Sequence, residues 1–258
     1  MDFTEAQIQR YARHILLPEV GGVGQEKLLK ARVLVIGAGG LGSPVILYLA
    51  AAGVGTIGVV DDDTVDLSNL QRQVLHTTAR VGAPKTYSAQ AAVAAINPDV
   101  KIIPHKARLT SANAMDLISA YDVIADGSDN FATRFLVNDA CFFAKKPLVS
   151  AAVLRFDGQL ATFKPHAGGP CYRCLYADEP PAGQIPTCAE AGILGAVAGV
   201  LGTLQATEIL KEILGIGQSM AGRLMIYDAL DAASRTVKVN RDPACALCGD
   251  HPTIKALY

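Results

Sequence analysis

The 258-residue chain has almost no net charge: 23 Lys and Arg stand against 24 Asp and Glu. Nothing in that balance draws it to nucleic acid or to an anionic membrane surface. Long apolar runs are absent too. The longest, Ile193–Leu204, has 12 residues, three of them glycine, too short to span a bilayer. The opening Met1-Asp2-Phe3-Thr4-Glu5 is acidic and polar, without the basic start and apolar stretch of a secretory signal. Repeats and low-complexity tracts are missing. These absences point to a globular protein of the cytoplasm. With 50% hydrophobic residues it can bury a sizeable core, as one large domain or two small ones.

Six cysteines are present, and four of them form two C-x-x-C pairs, Cys171/Cys174 and Cys245/Cys248. In a reducing compartment structural disulfides are rare, and two such pairs read as a tetrahedral Cys₄ zinc site. The alternatives are a redox dithiol, which needs only one pair, or unrelated buried thiols. Seventy residues separate the pairs, so the site would clip the far end of the chain onto its middle. Cys141, inside an apolar helical run with Phe142 and Phe143, reads as core.

Helical and strand periodicities alternate along the chain. A helix is expected over Thr4–Leu16, followed by a glycine-rich loop, Gly21-Gly22-Val23-Gly24. Then come a strand at 33–36, a helix at 44–52, a strand at 57–60 and, after a loop, a helix over Pro84–Ile96 stopped by Asn97-Pro98. A strand near 100–103, a helix near 112–120, the strand Val123–Ala125, the helix Ala132–Ala144 and a strand near 147–152 follow. This βαβ rhythm implies a doubly wound, mostly parallel sheet with helices on both faces. Gln159–Phe163, Leu224–Tyr227 and Thr236–Val239 read as an antiparallel extension, with one long helix from about Ala189 to Leu214 between them. The reading is one continuous domain with an appended C-terminal lobe.

The first strand runs straight into Gly37-Ala38-Gly39-Gly40-Leu41-Gly42. Such glycines let the backbone turn tightly and approach a phosphate, and the helix opening at Ser43-Pro44 favours an anion at its N-terminus. Asp61 follows Gly42 by 19 residues, closing the next apolar run, where a carboxylate can accept from a ribose diol. This half of the chain binds a nucleotide.

G-x-G-x-x-G loops most often serve NAD or FAD, so a dehydrogenase is one alternative, although no hydride-transfer constellation is visible. A non-catalytic nucleotide-binding scaffold is another. The segment from Asp61 to Gln73 argues differently, because it packs charge and hydrogen-bonding groups into a short span, and Lys85 opens the next helix. Arg72 and Lys85 can clamp a triphosphate. Asp126 and Asp129 follow the fourth strand, at the edge where ligands bind, and suit a Mg²⁺ ion bridging phosphates. Each has a plainer reading: solvated charge for Arg72 and Lys85, a helix cap for Asp126.

Three segments occur in order: Gly37–Gly42, Ser68-Asn69-Leu70-Gln71-Arg72-Gln73 and Asp126-Gly127-Ser128-Asp129-Asn130. Cys171-Tyr172-Arg173-Cys174-Leu175 and the Cys245/Cys248 pair follow them. From about Arg10 to Cys248 the chain resembles the MoeB/ThiF/HesA family, bacterial relatives of the ubiquitin-activating enzymes, and most nearly its molybdopterin-type members.

The resemblance implies a Rossmann-like adenylation domain over 1–258. Its nucleotide core would occupy about 30–152, and a carrier- and zinc-binding lobe about 153–250. It implies an adenylyltransferase that uses ATP and Mg²⁺ on a ubiquitin-like sulfur carrier ending in Gly-Gly, for molybdenum cofactor or thiamine thiazole synthesis. Carried over by position, Gly37, Gly39, Gly40, Gly42 and Ser68 belong to the nucleotide site. Asp61 holds the ribose; Asn69, Arg72 and Lys85 hold the phosphates; Asp129 acts through Mg²⁺. Arg13 matches an arginine that reaches a neighbouring subunit's ATP, which implies a homodimer with two shared sites; in a monomer it would be an exposed helix arginine. Cys188 matches a position at which some relatives form a thioester or persulfide with the carrier, and otherwise reads as a loop thiol. The chain ends ten residues after Cys248, without the rhodanese domain fused to some relatives, so a separate sulfurtransferase is expected.

Overall fold

The computed structural model describes residues 3–181 and 188–257; of Cys188 and Ala189 it describes the backbone. Two helices come first, α1 (Glu5–Ile15) and α2 (Gly21–Lys30). The parallel part alternates β1 (Arg32–Ile36), α3 (Gly42–Ala52), β2 (Thr56–Val60), α4 (Lys85–Ile96), β3 (Lys101–His105), α5 (Ala114–Ser119), β4 (Val123–Asp126), α6 (Phe131–Ala144) and β5 (Leu148–Leu154). β6 (Asp157–Phe163), α7 (Cys188–Ala191), α8 (Gly195–Leu214), β7 (Arg223–Asp228) and β8 (Ala233–Lys238) complete it.

Among the described residues, all eight strands form one sheet in the order β3-β2-β1-β4-β5-β6-β7-β8. The first five are parallel, and β6, β7 and β8 add antiparallel, as the sequence rhythm implies. Side chains alternate across the sheet. Val33 and Val35 of β1 pack with α3, α4 and α8 residues such as Leu49, Val93 and Leu201. Leu34 and Ile36 pack on the other face with Ile118 of α5 and Phe135 of α6. Strands sandwiched in this way are buried on both faces, which is why they read as unbroken apolar runs.

Two local expectations give way. Gly21–Gly24 opens α2 instead of forming a loop. Gln25 is fully buried there, donating to Ala52 O at 2.9 Å and meeting His14 Nδ1 at 3.0 Å, and Leu28 joins the core. Tertiary packing overrides the low helix propensity of glycine. The expected long helix from Ala189 is two helices. Between them the β5–β6 turn intervenes: Arg155 N–H donates to Gly192 O, and Leu194 N–H to Arg155 O. These bonds set Ile193 in a parallel bridge beside Arg155, and Gly192, at φ +78°, ends α7.

Candidate active site

The parallel strands end at one edge, and there the chain turns sharply after β1. Gly37 has φ +89°, a region closed to most side chains, and its N–H donates to Val60 O at 2.8 Å. A Cβ on Gly42 would stand 1.9 Å from Gly37 O, so the loop folds back on itself only with glycine at both positions. The N-terminus of α3 then faces the loop and favours an anion. A Cβ on Gly40 would lie 3.5 Å from the Arg72 side chain, and one on Gly39 3.7 Å from Gln73 Nε2. The Asn69–Gln73 segment therefore lies directly against the loop.

Asp61 closes β2 beside it. Its Oδ2 accepts Ala38 N–H at 2.8 Å and its Oδ1 accepts Asp63 N–H at 2.9 Å. Each oxygen retains a second acceptor site for a ligand hydroxyl. Burial pushes the Asp61 carboxyl up, opposed by the Lys85 charge and by the two N–H donors.

Lys85, buried at the start of α4, pairs through Nζ with Asp63 Oδ2 at 2.7 Å. Arg72 Nη2 donates to Asn69 Oδ1 at 3.0 Å and Nη1 to Ser68 O at 3.2 Å. Gln73 Nε2 also donates to Asn69 Oδ1, at 2.9 Å. Ser68 Oγ donates to Asp66 Oδ1 at 2.6 Å, so its hydroxyl shapes the turn. The two cations are held by an exposed carboxylate, an amide and a carbonyl, partners that a polyphosphate can displace.

Asp126 and Asp129, three residues apart, sit in opposite environments. Asp126 is buried, and its carboxylate accepts from Ser128 N–H and Oγ, from Ser150 Oγ and from Arg134 Nη1. That carboxylate is consumed internally, which removes the expectation that Asp126 joins Asp129 on a metal. Asp129 is exposed just before α6, with Asn130 Nδ2 at 3.4 Å from its Oδ1. Arg134 and Gln205 escape sequence reasoning. Gln205 Nε2 donates to both Asp126 O and Val149 O at 2.9 Å and so braces α8 against β4 and β5.

Arg13 lies elsewhere, exposed in the last turn of α1. Two residues earlier Tyr11 is buried beside Gly53, the C-cap of α3, and its hydroxyl accepts from Asn97, the C-cap of α4, at 2.8 Å. Helix α3 runs from the glycine loop to that point, on the order of 15 Å. Arg13 thus stands at the edge opposite its own loop.

The four paired cysteines converge. Sγ separations are 3.6 Å for Cys171–Cys245, 3.4 Å for Cys174–Cys248 and 3.9 Å for Cys171–Cys174. Tetrahedral zinc with bonds of about 2.3 Å sets its sulfurs about 3.8 Å apart, so the donors fit a metal ion. All four are free thiols. The hydrogen bond with Cys174 pushes Cys171 up and pulls Cys174 down. Arg173 between them is gripped by Asp139 of α6, at 2.8 and 2.7 Å. The Cys188 side chain lies outside the described residues. Cys141 is buried against α6's own core, and burial pushes its thiol up.

Residues 11–247 match the model of the ThiF family. The chain belongs to the ThiF family. Over its full length this ThiF-family chain is 51% identical to the sulfur carrier protein adenylyltransferase of Thermus thermophilus, covering 96% of that protein. It is 50% identical to the SAMP-activating enzyme E1 of Haloferax volcanii, over 97% of this chain and 92% of that one. Bovine adenylyltransferase and sulfurtransferase MOCS3 is 52% identical over 98% of this chain, which spans only 56% of that longer relative. Among solved structures, E. coli MccB with MccA-N7isoASN superposes with a TM-score of 0.82 at 21% identity, over 93% of this chain and 74% of that one; this likeness concerns the fold. Among the described residues no helix is long and apolar enough to cross a membrane.

Proposed function

We propose that this ThiF-family chain adenylates the C-terminal carboxylate of a ubiquitin-like sulfur carrier protein ending in Gly-Gly, using ATP and releasing pyrophosphate. The convergence of the glycine loop, Asp61, Arg72, Lys85 and Asp129 at one sheet edge carries this reading. The sulfur-carrier and E1 names of its half-identical relatives support it. A carrier carboxylate oxygen attacks the α-phosphorus, the bond to the β-phosphate breaks, and pyrophosphate leaves. An anion approaching a polyanion needs cations, which Arg72 and Lys85 supply once they exchange Asn69 and Asp63 for phosphate oxygens. Asp61 holds the ribose. Asp129 would hold a Mg²⁺ ion, which would supply positive charge against the polyphosphate.

The remaining phosphate arginine comes from a second copy. Arg13 cannot reach its own loop, and exposed Tyr48 of α3, Tyr87 of α4 and Val200 of α8 present apolar surface on the sheet face that α1 joins. Such surface suits burial between copies. The Cys₄ cluster holds a structural zinc ion.

The carrier is of the molybdopterin-synthase type, on the likeness of Leu67–His76 and Gln159–Leu175 to those members. ATP–pyrophosphate exchange with purified carriers tests both levels. Exchange that requires a Gly-Gly carrier, and prefers the molybdopterin carrier over the thiazole carrier, is expected. Exchange with the thiazole carrier alone would reassign the carrier. NAD bound more tightly than ATP would overturn adenylation itself.

A further inference from the structure

Three separate segments supply the proposed phosphate ligands: the glycine loop, the Asn69–Gln73 turn and the start of α4. One buried residue touches all three, the loop and α4 through its ring and the turn through its backbone. His76 Nε2 stands 2.9 Å from Ala38 O in the loop, and its Nδ1 stands 2.9 Å from Ser88 Oγ, one turn after Lys85 on α4. Its own N–H donates to Gln73 O at 3.0 Å. A carbonyl only accepts, so Nε2 carries the ring proton and Nδ1 accepts from the Ser88 hydroxyl. Ala38 is therefore clamped on both sides of its backbone, its N–H by Asp61 and its carbonyl by His76.

We infer that neutral His76 is the positioning residue that holds the glycine loop and the Lys85 helix in register for a nucleotide triphosphate. The inference rests on the adenylation reading. Holding the Ala38 peptide fixes where the Gly39 and Gly40 backbone points, and the same ring ties that peptide to the helix carrying Lys85. A second ring proton would force Nδ1 to donate where it now accepts. It would also enter a buried place faced by Lys85 of α4 and by Arg80, whose Nη1 bonds Ser88 O at 3.1 Å. Asp61 meets the same Ala38 peptide on its N–H side. Burial first, and then the charges of Lys85 and Arg80, hold the His76 pKa below its ordinary value, against the favourable Ala38 bond. The sign follows: a depressed folded pKa gives stability that is present above about pH 6.5 and fades as pH falls through the folded value.

The test is ATP·Mg²⁺ affinity measured by calorimetry from about pH 8 to pH 5.5 on the full chain. The variants are His76→Leu, His76→Gln and Ser88→Ala. His76→Leu should weaken ATP about tenfold at every pH, the effect of losing a buried hydrogen-bond anchor. His76→Gln keeps an N–H for Ala38 and has no ring to titrate. It should bind within a fewfold of the parent at high pH and lose less affinity than the parent in acid. ATP itself titrates equally in both, so the difference between the curves belongs to His76. Ser88→Ala should fall between parent and His76→Leu. If His76→Leu does not fold, His76→Gln and Ser88→Ala decide. Parallel pH curves for parent and His76→Gln, or unchanged affinity in a folded His76→Leu, would overturn the inference. A parent chain that binds no ATP would instead overturn the adenylation reading on which it rests.

Discussion

Strands β1 and β8 belong to one sheet and are held there by different means. From Val33 to Ile36, β1 is buried on both faces between two layers of helices. All six residues of β8 are exposed. The parallel half is built on an apolar core, with the buried Asp126–Arg134 pair and Gln205 satisfied inside it. The antiparallel end joins that core through β6 and Leu224 and adds polar and metal-ready devices beyond it. Glu208 of α8 accepts from Thr162 Oγ1 at 3.1 Å and from Met220 N–H at 2.5 Å, and Lys164 pairs with Glu212 at 2.5 Å. The Cys₄ cluster ties the chain after β8 to the chain after β6. The parallel half carries every proposed phosphate ligand of the subunit's own site, and the other half is fastened on beside it. Nucleotide binding and attachment of the far end should therefore respond to different substitutions.

The largest expected effect breaks the comparison at its catalytic side. Arg13→Ala should lower carrier adenylation by about three orders of magnitude, the scale of an arginine supplied across an interface to a phosphoryl group. Asp129→Ala should be similarly inactive with its fold intact. In verified heterodimers of the two variants one shared site keeps both residues, and part of the activity should return. Heterodimers without recovery would put Arg13 in cis or outside the reaction.

A smaller effect separates the halves by stability. Cys248→Ser, or metal removal by a chelator, should lower the melting temperature by about 10 °C, the scale of a few kcal/mol in a chain of this size. Nucleotide affinity should stay within about twofold, the edge of measurable change. Metal analysis should find zinc in the parent and little in the variant. Protein prepared without chelator that holds no metal and titrates four free thiols would refute the site.

The smallest effect sharpens the contrast with one substitution made twice. Val35→Ala, fully buried in β1, should cost about 2 kcal/mol as lost burial plus a cavity. Val237→Ala on β8, 38% exposed, should cost under about 0.5 kcal/mol. Urea unfolding of both variants measures the difference. Equal costs would mean that β8 is packed far more tightly than its exposure indicates.

What could be read in the sequence follows the same division. The parallel strands announce themselves as apolar runs because both faces are covered, and the glycine loop because turn geometry demands its residues. The cysteine pairs carry a spacing that few other arrangements share. What stayed hidden depends on residues brought from far away. Asp126 reads as a metal ligand until Arg134 and Ser150 are seen to take its oxygens. His76 carries no signal in the sequence, and only the fold sets it between Ala38 and Ser88. The break between α7 and α8 comes from backbone bonds to Arg155, well upstream of both, and glycines at the start of α2 mislead because Gln25 and Leu28 secure that helix by tertiary contacts.

The cysteine clip also orders events in time. Its two halves are separated by 70 residues, a ring whose closure in a disordered chain costs about 4 kcal/mol of entropy. A chain made from its N-terminus has already released the whole parallel half before Cys245 and Cys248 emerge. The nucleotide edge can thus assemble first and shorten the gap by bringing β5 and β6 into place. Metal capture at the cluster would then be the final stitch of biosynthesis, and a ribosome stalled before residue 245 would display a folded nucleotide edge with its antiparallel end still loose.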